Sequence, residues 1–276
     1  AFWIISGFVF AHVYAGRKNY FGDFALARFA RLYPLNIVTL FFIAILQYIN
    51  MKFFGGYQVV GFNDLYHFFL NLFFIAGWGF HLGNSFNEPT CSVSIELAIY
   101  ALFFLLSRRI FSFGVILPVL FFGAGLAIAN QGTPLWLFGI ATLYFFDGVL
   151  AYYVLIKLQK HIFLLLTGCL LSLAFFFFIC LSGRFSHIPF PDLEGFLFNP
   201  IIMVLAIFDL NGIAKKIFKP VKWIGDATYS LYLWHFPIQV LILTIVQKYG
   251  IHVAVFEKPV SMIIWIAGML TVSVLS

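Results

Sequence analysis

Three short stretches and one lone acid of this chain hold side chains that could do chemistry. In ALARFARLYPLN, residues 25–36, Arg28 and Arg31 stand three apart, just before Tyr33-Pro34 and a long apolar run. Paired guanidinium forks suit a bidentate grip on a phosphate-bearing cosubstrate; they suit equally the anchoring of a span against lipid phosphate. In NSFNEPTCSVSIELAIY, residues 84–100, Thr90, Ser92 or Ser94 is placed to cap a helix with Glu96 in its first turn or two. Ser92 at i−4 and Tyr100 at i+4 share the Glu96 face. That carboxylate either complements the helix dipole, worth about 0.3–1 kcal/mol, or faces a cavity where it orients a histidine or a hydroxyl. In GDATYSLYLWHFPIQ, residues 225–239, Thr228, Tyr232, His235 and Gln239 draw one polar stripe down an apolar helix that Pro237 kinks. Interhelical hydrogen bonding explains such a stripe as well as function does. Asp147, in LYFFDGVLAYY, falls near the middle of a span, where an unpaired carboxylate would cost about 2.5 kcal/mol or more.

Other chemistries find no residues to carry them. Seven histidines are scattered without an HExxH or Cys/His cluster, so no metal ligands are expected. There is no GxSxG elbow and no glycine-rich phosphate loop. Cys91, Cys169 and Cys180 form no CxxC pair and read as packing residues.

The elements that must position these side chains are apolar helices. With 63% hydrophobic and 9% charged residues and a mean hydropathy of +1.02, the chain lies far from soluble composition. Apolar segments fall at about 1–15, 34–52, 64–80, 94–107, 114–130, 134–156, 161–182, 196–210, 226–247 and 259–275. Residues 21–33 read as a helix lying at the membrane surface and ending before Pro34, with Arg28 and Arg31 about 60° apart on its wheel.

Loop charge decides between topologies. If 64–80 does not cross, twelve basic residues lie in cytoplasmic loops and four outside; if it does, the split is seven against nine. The expectation is therefore an all-α polytopic membrane protein of about nine transmembrane helices, plus one re-entrant or interfacial helix at 64–80 on the outer side. Asp64, His67 and Asn71 form a polar stripe on that segment, and His67 and Asn71 are candidates for the acceptor side of a substrate cavity. The net charge of +6 is spread over short loops as topology control, with no nucleic-acid partner implied. Both ends fall inside apolar stretches, so residues 1–276 are expected to be a single membrane domain cut from a longer protein. Gly7 and Gly148 are expected at close helix contacts. On these residues alone a membrane enzyme and a secondary transporter or flippase of a lipid-linked substrate fit equally.

Taken in order, FWIISGFVFAHVY, ARFARLYPL, NEPTCSVSIELAIYALFF and GDATYSLYLWHFPI give a chain that resembles acyltransferase family 3 over nearly its whole length. These are integral-membrane O-acyltransferases. The resemblance implies a ten-helix enzyme of the bacterial inner membrane that moves an acyl group, commonly acetyl, from cytoplasmic acyl-CoA to a hydroxyl of a sugar or lipid-linked glycan. Acyl-CoA enters as a cosubstrate, with no tightly bound cofactor. The family's Arg-x-x-Arg motif falls on Arg28 and Arg31, associated with acyl-CoA; its Ser-x-x-x-Glu block falls on Ser92 and Glu96, and its Tyr-Leu-x-His block on Tyr232 and His235. Glu96 and His235 are then the expected catalytic residues within the chain, with Ser92, Tyr232 and Asp147 lining the cavity. The family's first helix, carrying the histidine held to be the main base, is expected upstream of residue 1, which would leave residues 1–276 inactive alone. Cys91 stands where the family commonly has tryptophan.

Overall fold

The computed structural model of the chain describes residues 2–14, 20–110, 114–182, 193–210, 219–250, 267–268 and 271, and among these there is no strand. The helices are α1 (Phe2–Tyr14), α2 (Phe21–Phe54), α3 (Leu65–Leu72), α4 (Pro89–Ile110), α5 (Ile116–Ala129), α6 (Trp136–Leu158), α7 (Ile162–Leu181), α8 (Leu193–Leu210) and α9 (Lys222–Tyr249). Five of them are long and apolar enough to cross a membrane: α2, α4, α6, α7 and α9. The protein is thus an all-helical integral membrane protein. The expected last span, 259–275, lies almost wholly outside the described residues.

The chain divides into two compact units. The first comprises Ala1–Phe21 and Ala98–Lys219; the second comprises Gly22–Leu97 and Pro220–Ser276. In the first unit α1 and α6 touch backbone to backbone at glycine. A Cβ on Gly7 would lie 1.8 Å from the Phe145 carbonyl oxygen, and one on Gly148 only 2.0 Å from that of Ile4. With no hydrophobic drive between helices in lipid, such small-residue contacts are what let van der Waals packing hold them together. Gly125 and Gly139 do the same between α5 and α6: a Cβ on either would lie 2.5 Å from a backbone nitrogen of the facing helix. Phe10, Tyr100, Phe103 and Phe145 fill the space beside the α1–α6 crossing, and the Tyr100 hydroxyl donates to Ser6 Oγ at 3.1 Å.

In the second unit two expectations need correction. Helix α2 does not stop before Pro34 but runs through it for 34 residues. Proline removes one donor, the partner of the Ala30 carbonyl, and a membrane helix survives that loss where the rest of its ladder continues. Helix α4 begins at Pro89, whose fixed φ and missing N–H suit the first helical position. Thr90, Ser92 and Ser94 therefore lie inside the helix and do not cap it.

The 64–80 segment forms no spanning helix. Asp64 caps α3 by accepting from the His67 backbone N–H at 2.9 Å. Eight helical residues reach about 12 Å, against about 30 Å of hydrocarbon. A single wide turn, Ala76–Phe80, follows and is broken at Gly79, whose φ of 85° lies in the left-handed region. This turn is pressed onto α4: a Cβ on Gly77 would lie 2.5 Å from the Cys91 carbonyl oxygen. Gly77 N–H donates to Ser94 Oγ at 2.8 Å and the Trp78 indole to the Ser94 carbonyl at 3.0 Å.

Candidate functional site

The frame of the second unit is a buried chain of polar contacts. Pro237 lies inside α9 and removes the N–H that the Leu233 carbonyl would otherwise accept. Asn87, fully buried, donates to that carbonyl at 3.1 Å and to Thr39 Oγ1 of α2 at 3.2 Å. Thr90 of α4 donates to Asn36 Oδ1 at 3.2 Å, and Asn36 Nδ2 donates to the Asn71 carbonyl at 3.2 Å. Asn71 in turn donates to Ser85 Oγ and to the His67 carbonyl, both at 2.9 Å. Asn36, Thr39, Asn71, Asn87 and Thr90 are all at or below 1% exposure, so each contact replaces water that none of them can reach.

His67 belongs to the same frame. Its Nε2 accepts from the Leu82 backbone N–H at 3.2 Å, which puts the ring proton on Nδ1, where it donates to Asp64 at 2.8 Å. With its ring fully buried and both nitrogens engaged, His67 holds the 64–82 segment in shape. The His67 backbone N–H and then its ring hold the Asp64 carboxyl below the usual carboxylate range. The amide hydrogens of Asn71 are committed likewise. Both ring nitrogens of His67 and the amide hydrogens of Asn71, candidates for the acceptor side of a cavity, are thus engaged in contacts that hold this segment.

Three helices bring the remaining residues of the second unit to one neighbourhood. Helix α2 carries Arg28, half-buried, and Arg31, exposed; the Arg28 guanidinium lies over the Phe24 ring at 5.7 Å. Helix α4 supplies Ser92 and Glu96, the latter 4% exposed. Glu96 is the eighth residue of α4, beyond the first turn to which a dipole effect is confined, so the dipole does not explain it. From α9 come Tyr229, Tyr232 and His235. The Tyr229 hydroxyl donates to the Leu32 carbonyl at 2.7 Å and lies in the fields of both Glu96 and Arg31. The Tyr232 hydroxyl is within hydrogen-bonding reach of Ser92 and feels Glu96 as well. His235 donates from Nδ1 to the Tyr232 carbonyl at 2.6 Å, a bond that fixes the tautomer and leaves Nε2 as the acceptor.

Arg31, Glu96, Ser92, Tyr229 and Tyr232 thus form one mixed set: an exposed cation whose field reaches Tyr229, and a buried carboxylate whose field reaches both phenols. Sequence spacing pointed to all of these except Tyr229. The missed signal is its place three residues before Tyr232, one helical turn along the same helix. Asn87 was missed too, although Pro237 marks the carbonyl four residues before it as one in need of a donor. Asp147 belongs to the first unit, where Asn199 of α8 donates to both of its oxygens at 2.9 Å.

A family model described as an acyltransferase domain matches residues 1–276. The chain belongs to acyltransferase family 3. It is also similar to a peptidoglycan O-acetyltransferase, OatA, of Listeria monocytogenes serovar 1/2a (strain ATCC BAA-679 / EGD-e), at 31% identity over 87 residues. That match covers 30% of this chain and 14% of the relative, so the chain spans well under two thirds of the curated protein it matches. No solved structure matches the chain. Membership in acyltransferase family 3 makes acyl transfer its class of chemistry. It separates the enzyme from the transport reading, which the buried acids alone did not.

Proposed function

We propose that the chain is the membrane part of an O-acyltransferase that moves an acyl group, in the first instance acetyl, from acyl-CoA to a hydroxyl of a sugar or lipid-linked glycan of the cell envelope. The observation that carries this reading is the acyltransferase domain match over residues 1–276, in a chain whose buried Glu96 acts on both Tyr229 and Tyr232. Arg28 and Arg31 would hold the phosphates of CoA, whose planar double contacts arginine makes better than lysine. The acceptor oxygen attacks the thioester carbonyl carbon; the C–O bond forms, the C–S bond breaks, and the acceptor's proton ends on the departing CoA sulfur. Glu96 would orient the hydroxyls around the reacting carbonyl, with the Tyr232 and Ser92 hydroxyls on the same side and His235 Nε2 as a hydrogen-bond acceptor one turn along α9. The family resemblance implies a histidine as the main base that takes the acceptor's proton. A positioned base of this kind contributes about 10²–10⁴-fold.

The same proposal includes nine membrane crossings, with 64–80 dipping into the outer side of the bacterial inner membrane without spanning it. The short α3, the break at Gly79 and the close seat of Gly77 on α4 support that topology. Backbone of this kind is tolerated at membrane depth only where protein shelters it.

The test is acyl-CoA binding by the protein with its natural upstream sequence, compared with Arg28→Ala and Arg31→Ala across a range of salt concentrations. The expected result is saturable binding, weakened at least tenfold in each variant and by salt, with helical content unchanged. Binding that neither substitution moves would refute the arginine assignment.

A further inference from the structure

Helices α6, α7 and α8 of the first unit line an open cavity of about 320 Å³, which shares no residue with the arginine and glutamate neighbourhood. The volume falls at the small end of the range of about 300–1,000 Å³ usual for ligand pockets. Its walls are apolar, with Leu165, Cys169 and Met203 among them, and its polar groups gather at Asp147 and Asn199.

The donor and acceptor balance at that polar end is one-sided. A carboxylate offers about four lone-pair sites, and the Asp147 oxygens receive only the two contacts from Asn199 Nδ2 among the described residues. The Asn199 carbonyl oxygen is itself buried and accepts from no donor among the described residues. Ser172, at the wall, is already committed: it donates at 2.9 Å to the Phe196 carbonyl, which Pro200 leaves without its helical partner. The polar end of the pocket therefore presents acceptors in excess of donors. A ligand headed by a carboxylate or phosphate would add further acceptors, and a plain hydrocarbon would leave the acceptors unmet.

Access is from an apolar surface. Val154, Leu164 and Phe196 line the cavity and are 42%, 57% and 42% exposed, as side chains facing lipid are on membrane helices. Asp147 is the middle residue of the 23 in α6, so the polar end lies deep along that helix, far from either aqueous boundary. We infer that the cavity binds an aliphatic chain ending in a hydrogen-bond donor, a hydroxyl or an ammonium, which enters from the bilayer and sets its donor on Asp147 and Asn199. The inference stands whether or not the acyl-transfer reading does.

The test uses the whole protein in lipid nanodiscs and three photoreactive ten-carbon probes: an alcohol, an amine and a headless alkane. Each carries a diazirine on its chain, and crosslinks are mapped by peptide mass spectrometry. Gly168→Phe serves as a plug, because Gly168 lines the cavity and a Cβ there meets no atom within 4 Å. The alcohol or the amine is expected to label the α7 and α8 walls at least fivefold more than the alkane, and Gly168→Phe to cut that labelling at least fivefold. Asp147→Ala is expected to bring the ratio of donor-headed to headless labelling down to about one. The stronger of the two donor-headed probes names the headgroup. Equal labelling by all three probes in the wild type, or labelling that Gly168→Phe does not change, would overturn the inference.

Discussion

Removing the Asn87 side chain is expected to destabilise the protein mainly through one carbonyl, that of Leu233. In Asn87→Ala this buried acceptor loses its side-chain donor, and Pro237 has already removed the backbone one. An unsatisfied buried acceptor costs about 1–3 kcal/mol, while hydrogen bonds between membrane helices average about 0.6 kcal/mol and reach about 1.7. Asn87 also bonds Thr39, but its own buried Oδ1 accepts from no donor among the described residues, so truncation relieves one orphan while creating another. The expected cost is about 1–2 kcal/mol. The decisive measurement is a double-mutant cycle with Pro237→Ala, read as unfolding in mixed detergent micelles by circular dichroism. Alanine at 237 restores the N–H to the Leu233 carbonyl, so Asn87→Ala should cost about 1 kcal/mol less in that background. Costs that agree within about 0.3–0.5 kcal/mol in the two backgrounds would refute the claim that Asn87 acts on the carbonyl freed by Pro237.

Gly77→Ala is expected to loosen the Ala76–Phe80 turn from α4, because the added methyl meets backbone at 2.5 Å; faster proteolysis between residues 73 and 88 than in Gly83→Ala, where the obstacle is only the Phe62 ring, would report it. Tyr229→Phe should change stability by less than about 1 kcal/mol, since the Leu32 carbonyl sits within the α2 ladder, yet lower acyl transfer at least tenfold; unaltered transfer would remove Tyr229 from the site. Asp64 is held below its ordinary value in the folded chain, so its contribution is fully present above the unfolded pKa, about 3.9, and declines as pH falls through the folded value. Asp64→Asn should therefore lower stability at pH 6 and make no difference once both states are protonated. A difference that stays constant down to pH 2 would show that the cap, not the charge, is responsible.

Composition and run length were enough to make this chain a helical membrane protein, because a bilayer admits few other solutions for backbone polar groups. Most helices begin and end near the apolar runs. Helix α2 differs because proline weakens a helix by one bond and does not dictate a stop when the flanking residues remain in lipid or protein. Local spacing placed Arg28 with Arg31, Ser92 with Glu96 and Tyr232 with His235, since residues three or four apart share a helix face whatever the fold. Which faces meet is a different matter. That Glu96 and Arg31 converge on Tyr229, that Asp147 pairs with Asn199 across 52 positions, and that His67 spends both nitrogens on its own segment were decided only in the tertiary structure. Each depends on which partners buried polar groups find once water is gone, and sequence separation says nothing about that search. The sequence by itself determined the solvent, the element type and the chemical class; the packing of helices decided which of its polar residues are free to act and which are consumed in holding the frame.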